Sequence, residues 1–283
     1  MTIFTKFNLR HFFTLGLLLI TISAPSTAFA TSSEDQRMNK LLNDGELTVE
    51  VKVVSKPQQI PKQALVISVE VATNRWFSKG SNVSAFSLKD TVMMANNTIT
   101  INGSKRINGE TWATQLHEIT LYPTRSGEYQ VPSLTVNVSV NSQEYGEVSG
   151  VVNTEPTLFV IQDIPELNEV EYYIVASEVN VDIDGEFDES AVYAIGQAIT
   201  QNITIRAQGS PAMMIPPLDS SEAQLQGISL YKKPAQVLDQ SNRGTLVGTR
   251  IESTTYIFEQ AGNYTIAEQS LYWWDSINNR LEK

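Results

Sequence analysis

Ile119-Thr120-Leu121-Tyr122-Pro123-Thr124-Arg125-Ser126-Gly127-Glu128-Tyr129-Gln130-Val131, or ITLYPTRSGEYQV, decides the fold reading. Ile119 and Leu121 flank polar Thr120, the period of a half-buried strand. Pro123 has no N–H for a ladder, so it ends or edges that strand. Gly127 can take the positive φ of a tight turn, and Tyr129 and Val131 restart the alternation. A second piece of the same design is YIFEQAGNYTI, with Gly262, Tyr264 and Ile266; Gly127 to Gly262 is an offset of 135 residues. Gln63-Ala64-Leu65 and Gln197-Ala198-Ile199 agree, at an offset of 134, each ahead of an alternating strand. Two landmarks at nearly one offset point to a duplicated unit of about 110 to 135 residues.

Working outward, the period of two recurs. Leu47, Val49, Val51 and Val53 alternate with polar residues, as do Leu65, Ile67, Val69 and Val71. Ile99 and Ile101 alternate with Thr98 and Thr100, and Leu134, Val136, Val138 and Val140 follow the same rule. Each set predicts an antiparallel strand with its apolar side in a core. Short strands separated by turns read as β-sandwiches. The predicted class is all-β: two tandem immunoglobulin-like antiparallel β-sandwich domains after a cleaved signal peptide. Residues 46–162 form the first and 172–283 the second, with a linker over 163–171, where Asp163, Pro165, Glu166 and Glu169 interrupt the pattern. Residues 31–45 are either a short helix, capped by Ser32 with Asp35 and burying Met38, Leu41 and Leu42, or a disordered lead-in.

The first 30 residues read as a targeting segment. Lys6 and Arg10 form a positive region, Phe12 to Ile22 an apolar run, and Ala28-Phe29-Ala30 a peptidase triplet. Cleavage is expected after Ala30; the alternative is an uncleaved N-terminal anchor. No other stretch approaches the roughly 20 apolar residues of a membrane helix.

Composition narrows the function. The chain of 283 residues has a formal net charge of −11, from 20 Lys and Arg against 31 Asp and Glu. Removing Lys6 and Arg10 with the leader makes it more acidic still. That argues against nucleic acid, whose phosphates need a basic footprint, and against anionic lipid held by charge alone. With no cysteine, disulfides, thiolate nucleophiles and Cys-based zinc or iron–sulfur sites are excluded. Of the two histidines, His11 lies in the leader, so His117 is the one imidazole of the mature chain. It has the parity of Ile119 and Leu121 and reads as a residue at a sheet margin. A Ser–His–Asp triad would have to use it, and no G-x-S-x-G elbow is present. No catalytic residue and no cofactor is assigned.

Three features could bind something. Asp182, Asp184 and Glu186 lie in an acidic run whose alternate oxygens could meet calcium. However, Gly185 is not at the EF-hand position, and a solvated acidic hairpin is the plainer reading. Trp273 and Trp274 are adjacent in a terminal strand and point to opposite faces, one into the core and one available to a partner. Trp76, beside an expected loop, completes the candidate partner-binding set of Trp76, Trp273 and Trp274.

The stretch NGETWATQLHEITLYPTRSGEYQVPSLTVNV, Asn108 to Val138, resembles the BatD or "oxygen tolerance" family of bacterial envelope proteins. So do AIGQAITQNITIRAQGSPAMMIPPL, Ala194 to Leu218, then SLYKKPA, and GTLVGTRIESTTYIFEQAGNYTIAEQSLYWWD up to Asp275. The likeness covers most of residues 46 to 275 and rests mainly on turn and packing residues. Ala267 departs from it, standing where the first copy has Pro132. The resemblance implies periplasmic Ig-like sandwiches, with von Willebrand A-type membrane proteins and a MoxR-type ATPase as neighbours. It implies a role in aerotolerance or envelope stress resistance, and it brings no catalytic residue. Family members commonly continue to a C-terminal membrane helix. Membrane association of this chain, whose sequence ends at Lys283, is expected only through partners or such a helix. The expected function is a non-enzymatic periplasmic interaction scaffold. The alternative is a carbohydrate-binding or adhesin-like module using exposed aromatics.

Overall fold

The computed structural model describes residues 33–283, except 55–57, 186, 189–190, 219–225, 243–244 and 267–268. The leader, the Ser32 cap, Glu186 and Ala267 therefore lie outside the described residues. The protein is an all-β sandwich built from antiparallel sheets, with one parallel strand pair.

Helix α1 (Ser33–Asn43) buries Met38 and Leu41 on one side. Strands β1 (Leu47–Val54), β2 (Leu65–Thr73), β3 (Trp76–Phe77), β4 (Asn82–Val83), β5 (Thr91–Ile107), β6 (Glu110–Pro123), β7 (Gly127–Val131), β8 (Thr135–Ser142), β9 (Gly146–Asn153) and β10 (Thr157–Ile161) follow. One sheet has the order β1-β2-β6-β5. The facing layers are β3, β4 and β9 around β8, and the ribbon β10-β7. Their shared core takes Leu65, Ile67, Val69 and Val71 from β2, Val136, Val138 and Val140 from β8, and Phe159 and Ile161 from β10. Met38 and Leu41 of α1 close one end.

Helix α2 (Pro165–Asn168) opens the rest of the chain, which carries β11 (Ile174–Ala176), β12 (Glu178–Asp184), β13 (Ala198–Gln208), β14 (Ile228–Lys232), β15 (Gln236–Asn242), β16 (Thr245–Phe258), β17 (Trp273–Asp275) and β18 (Arg280–Glu282). The main sheet here is β12-β13-β16-β14, with β15 also on β16; β11-β17-β18 is a smaller sheet, with β11 parallel to β17. Segment 163–171 is exposed for most of its length but anchored at two points: Ile164 and Leu167 join Ile60, Tyr173, Val175 and Trp274 in a separate apolar cluster. Lys62 ties the same region, donating from Nζ to the Tyr173 carbonyl at 3.2 Å, with its ammonium 3.9 Å from the Tyr173 ring centre.

The two halves of the chain share a common offset in their strands. β6 spans 110–123 and β16 spans 245–258, an offset of 135 at both ends. Leu65 faces Leu121 across one pair, and Ile199 faces Tyr256 across the other. The turn chemistry repeats as well. The Tyr129 hydroxyl donates to the Arg125 carbonyl at 3.0 Å or the Asp90 carbonyl at 3.2 Å. The Tyr264 hydroxyl meets the Gln260 carbonyl at 2.8 Å and the Gly227 carbonyl at 3.5 Å. Thr124 N–H also donates to Asp90, and Glu259 N–H to Gly227, each at 2.8 Å. Both acceptor residues are left-handed, Asp90 at φ 54° and Gly227 at φ 91°. Each half thus has a tyrosine whose hydroxyl reaches back to a carbonyl four residues upstream, the contact of a tyrosine corner.

Two expectations are corrected. Gly127 has φ 122° and opens β7, which pairs with β10. Its counterpart Gly262 is outside the left-handed range, and 262–266 is not a strand; among the described residues nothing takes the place of β10 beside it. The isoleucines of β5 also face the wrong way. Ile99 is 52% exposed and Ile101 46% exposed, on the outer face. Met93 faces Leu121, but Thr98 faces Ile119, so β5 advances five residues while β6 advances two. Three extra residues is an odd number, which inverts the alternation beyond the bulge.

Removing the corner hydroxyls tests their role. Tyr129→Phe is expected to cost about 1 kcal/mol, because its buried-side bonds are lost without a substitute. Tyr264→Phe should cost less, since its bond to Gln260 is solvent-exposed; urea unfolding at pH 7 measures both. Gly248→Ala should be worse than Tyr264→Phe. A Cβ there would lie 2.4 Å from Ala212 N and from the Ser210 carbonyl, which are backbone and cannot step aside, so about 1–3 kcal/mol is expected.

Candidate functional site

His117 sits mid-β6, between Val69 of β2 and Thr100 of β5 in the ladder, and is 2% exposed. Its place is the inner face rather than a margin. Nε2 lies 2.7 Å from the Ser81 hydroxyl and Nδ1 lies 3.1 Å from the Thr100 hydroxyl. Two residues away, Gln115 Oε1 accepts the Ser81 N–H at 2.6 Å. The segment between β3 and β4 is thus held to β6 by two side chains acting on one residue.

A serine against an imidazole suggests acyl transfer, so the geometry must be weighed against it. Nδ1 meets a neutral hydroxyl, whereas a triad places a carboxylate there to stabilise the imidazolium. The Ser81 N–H is engaged by Gln115 and cannot serve as an oxyanion donor. Ser81 is itself buried, at 9% exposure. The arrangement works as a clamp: each hydroxyl can donate to or accept from the ring, so a neutral His117 is satisfied in either tautomer.

The same two positions of β16 carry the same kind of device. Offset by 135, Gln115 and His117 become Arg250 and Glu252, also on the inner face. Arg250 Nε donates to Glu252 Oε1 at 2.7 Å, and that oxygen accepts the Leu218 N–H at 3.3 Å. Sequence reading missed this pairing; a polar residue at an apolar parity in both copies was its visible signal.

The other candidates are dispersed. Trp76 on β3 is 61% exposed and is available to a partner. Trp273 is half-buried against Ile174, Ala176 and Ile205. Trp274 is corrected: it is 5% exposed and belongs to the apolar cluster with Ile60 and Tyr173, so its indole offers no face to a partner. Asp182 pairs with Arg206, and Asp184 accepts from Asn202 Nδ2 at 3.5 Å, both on exposed β12. Among the described residues no group of three or more His, Cys, Asp or Glu side chains is placed to hold a metal ion. Nor, among them, is any helix long and apolar enough to cross a membrane.

Burial pushes the His117 imidazole below its ordinary value, so the folded state favours the neutral ring. Above about pH 6.5 both folded and unfolded chains carry it neutral, and the clamp contributes fully. As pH falls below that, the unfolded chain takes up a proton that the folded chain resists, and stability declines. The urea midpoint is expected to fall between pH 7 and pH 5, and to fall less in His117→Gln; equal slopes would remove His117 from this role. No family model matches the chain, and no curated protein matches it.

Proposed function

We propose that the protein is a non-enzymatic periplasmic interaction scaffold, exported by its leader and resembling BatD. On this reading it works beside von Willebrand A-type membrane proteins and a MoxR-type ATPase in aerotolerance or envelope stress resistance. Its two Ig-like sandwiches, divided near residues 163–171, present strand edges and end loops to those neighbours.

One observation carries this reading: β5. It is 17 residues long and lies at the edge of its sheet, hydrogen-bonded to β6 alone among the described residues. Its outer face carries Ile99 and Ile101, both about half exposed. A long edge with apolar side chains is what a soluble protein avoids unless another chain adds to it. Trp76, at 61% exposure, favours the second reading, an adhesin-like module that stacks a sugar on its indole.

Crosslinking from position 101 in the native host, followed by mass spectrometry, tests the first reading. Capture of a von Willebrand A-type membrane protein is expected, with loss of most of that product in Ile99→Asp/Ile101→Asp. Both sites are exposed, so that variant keeps its fold. Label on peptidoglycan, dependent on Trp76 and indifferent to the β5 substitutions, would replace the scaffold with the glycan-binding module.

A further inference from the structure

A groove of about 240 Å³ opens away from β5, where three segments meet. One wall is the run from α2 into β11, with Glu169, Glu171 and Tyr172. The second is Pro216-Pro217, and the third is Leu271-Tyr272, leading into β17. Each wall is pinned from behind. Ile174 N–H donates to the Tyr272 carbonyl at 3.0 Å, and Leu218 N–H to Glu252 at 3.3 Å. Two consecutive prolines fix their own φ, so this wall loses little freedom on binding.

The lining has two carboxylates over a floor of proline, leucine and tyrosine. Tyr172 is 52% exposed. Tyrosine rings here face cations: the Lys62 ammonium lies 3.9 Å from the ring centre of Tyr173, next to the groove, and the Lys283 ammonium 5.9 Å from that of Tyr272, in its lining. A tyrosine face beside carboxylates attracts a Lys or Arg head through the ring quadrupole and through charge together. Apolar walls lined with aromatics suit an extended, proline-flanked backbone, which arrives already stiff.

We propose that this groove docks a cationic, proline-flanked extended segment of a partner protein, its Lys or Arg seated over Tyr172 between Glu169 and Glu171. This rests on the scaffold reading and adds to it a second contact with its own chemistry.

Fluorescence anisotropy of the exported full chain with labelled acetyl-(Pro-Pro-Lys)3-amide tests the proposal. Tyr172→Ala, and separately Glu169→Gln/Glu171→Gln, are each expected to weaken binding by about tenfold. Glu34→Gln/Glu144→Gln, on α1 and the β8–β9 turn, should leave it unchanged. Equal weakening by that distant pair would reduce the effect to net charge and overturn the proposal. So would equal binding of (Pro-Pro-Glu)3, or no binding of (Pro-Pro-Lys)3. Binding of a soluble peptidoglycan fragment, lost in Tyr172→Ala, would reassign the groove to sugar. The two readings fail separately. If position-101 crosslinking still captures the membrane protein while the peptide does not bind, the groove fails and the scaffold stands; if the capture product is absent as well, both fall.

Discussion

One carbonyl in each half of the chain gathers three donors. Asp90 O receives the Thr124 N–H, the Thr124 hydroxyl and the Tyr129 hydroxyl; Gly227 O receives the N–H groups of Glu259 and Gln260 and the hydroxyl of Tyr264. A carbonyl has two lone pairs and an unpaired buried one is costly, so such a cluster fixes the backbone on both sides. What it fixes is the point where β6 or β16 ends and the chain crosses to the other layer. The ends of β5 and β14 are set at the same point, because Thr91 faces Pro123 and Ile228 faces Phe258. Strand register, sheet order and the position of each core follow from that crossing.

Much of this was visible in the sequence, and the limits have physical causes. Gly127-x-Tyr129 and Gly262-x-Tyr264 marked equivalent turns, but each tyrosine read only as the restart of an alternating strand, because a hydroxyl reaching back four residues to a carbonyl leaves no pattern of its own. The acceptor was invisible: Asp90 and Gly227 share a left-handed φ but no chemistry, and a backbone carbonyl has no side-chain signature. The alternation of β2 and β8 was legible because both strands run without interruption. In β5 the same pattern misled. Periodicity gives the spacing of a face and not its direction, and the irregularity between Met93 and Thr98 leaves no mark in the apolar pattern. Trp273 and Trp274 belong to two separate apolar clusters, as adjacent strand residues on opposite faces do, Trp274 buried in one and Trp273 half-buried against the other.

The inner-face polar positions show how one problem received two solutions. A strand crossing the end of a sandwich leaves a backbone N–H near the core that needs an acceptor. Gln115 supplies it for Ser81, and Glu252 supplies it for Leu218. A neutral amide needs no counterion, and it has His117 beside it as a second neutral contact. A carboxylate does need one, and Arg250 provides it, with both side chains about one-fifth exposed. Burial decides between them: the charged pair stands where water still reaches, and the neutral group stands where it does not.

The two edges diverge in a way that bears on function. Opposite Glu252 and Ser253 the outer strand of the second sheet breaks between β14 and β15, where Pro234 cannot donate to a ladder. The first sheet has no proline at this point and stays continuous through its bulge. A broken edge with a proline is a poor template for another strand, and a continuous one is a good template. The charges on β5 sharpen the contrast. Lys105 and Arg106 guard its far end, Lys105 bound to Glu70 and Arg106 donating to the Gly109 carbonyl at 3.0 Å. Between the bulge and those two cations lies Thr98 to Ser104, with polar threonines on the inner face and isoleucines on the outer. An added strand on that stretch would gain ladder hydrogen bonds and cover Ile99 and Ile101 without displacing a proline, a bulge or a charge. The unguarded part of β5 is therefore confined to about seven residues, uncharged and free of proline, the length and composition at which an exposed edge pairs with another strand unless something covers it.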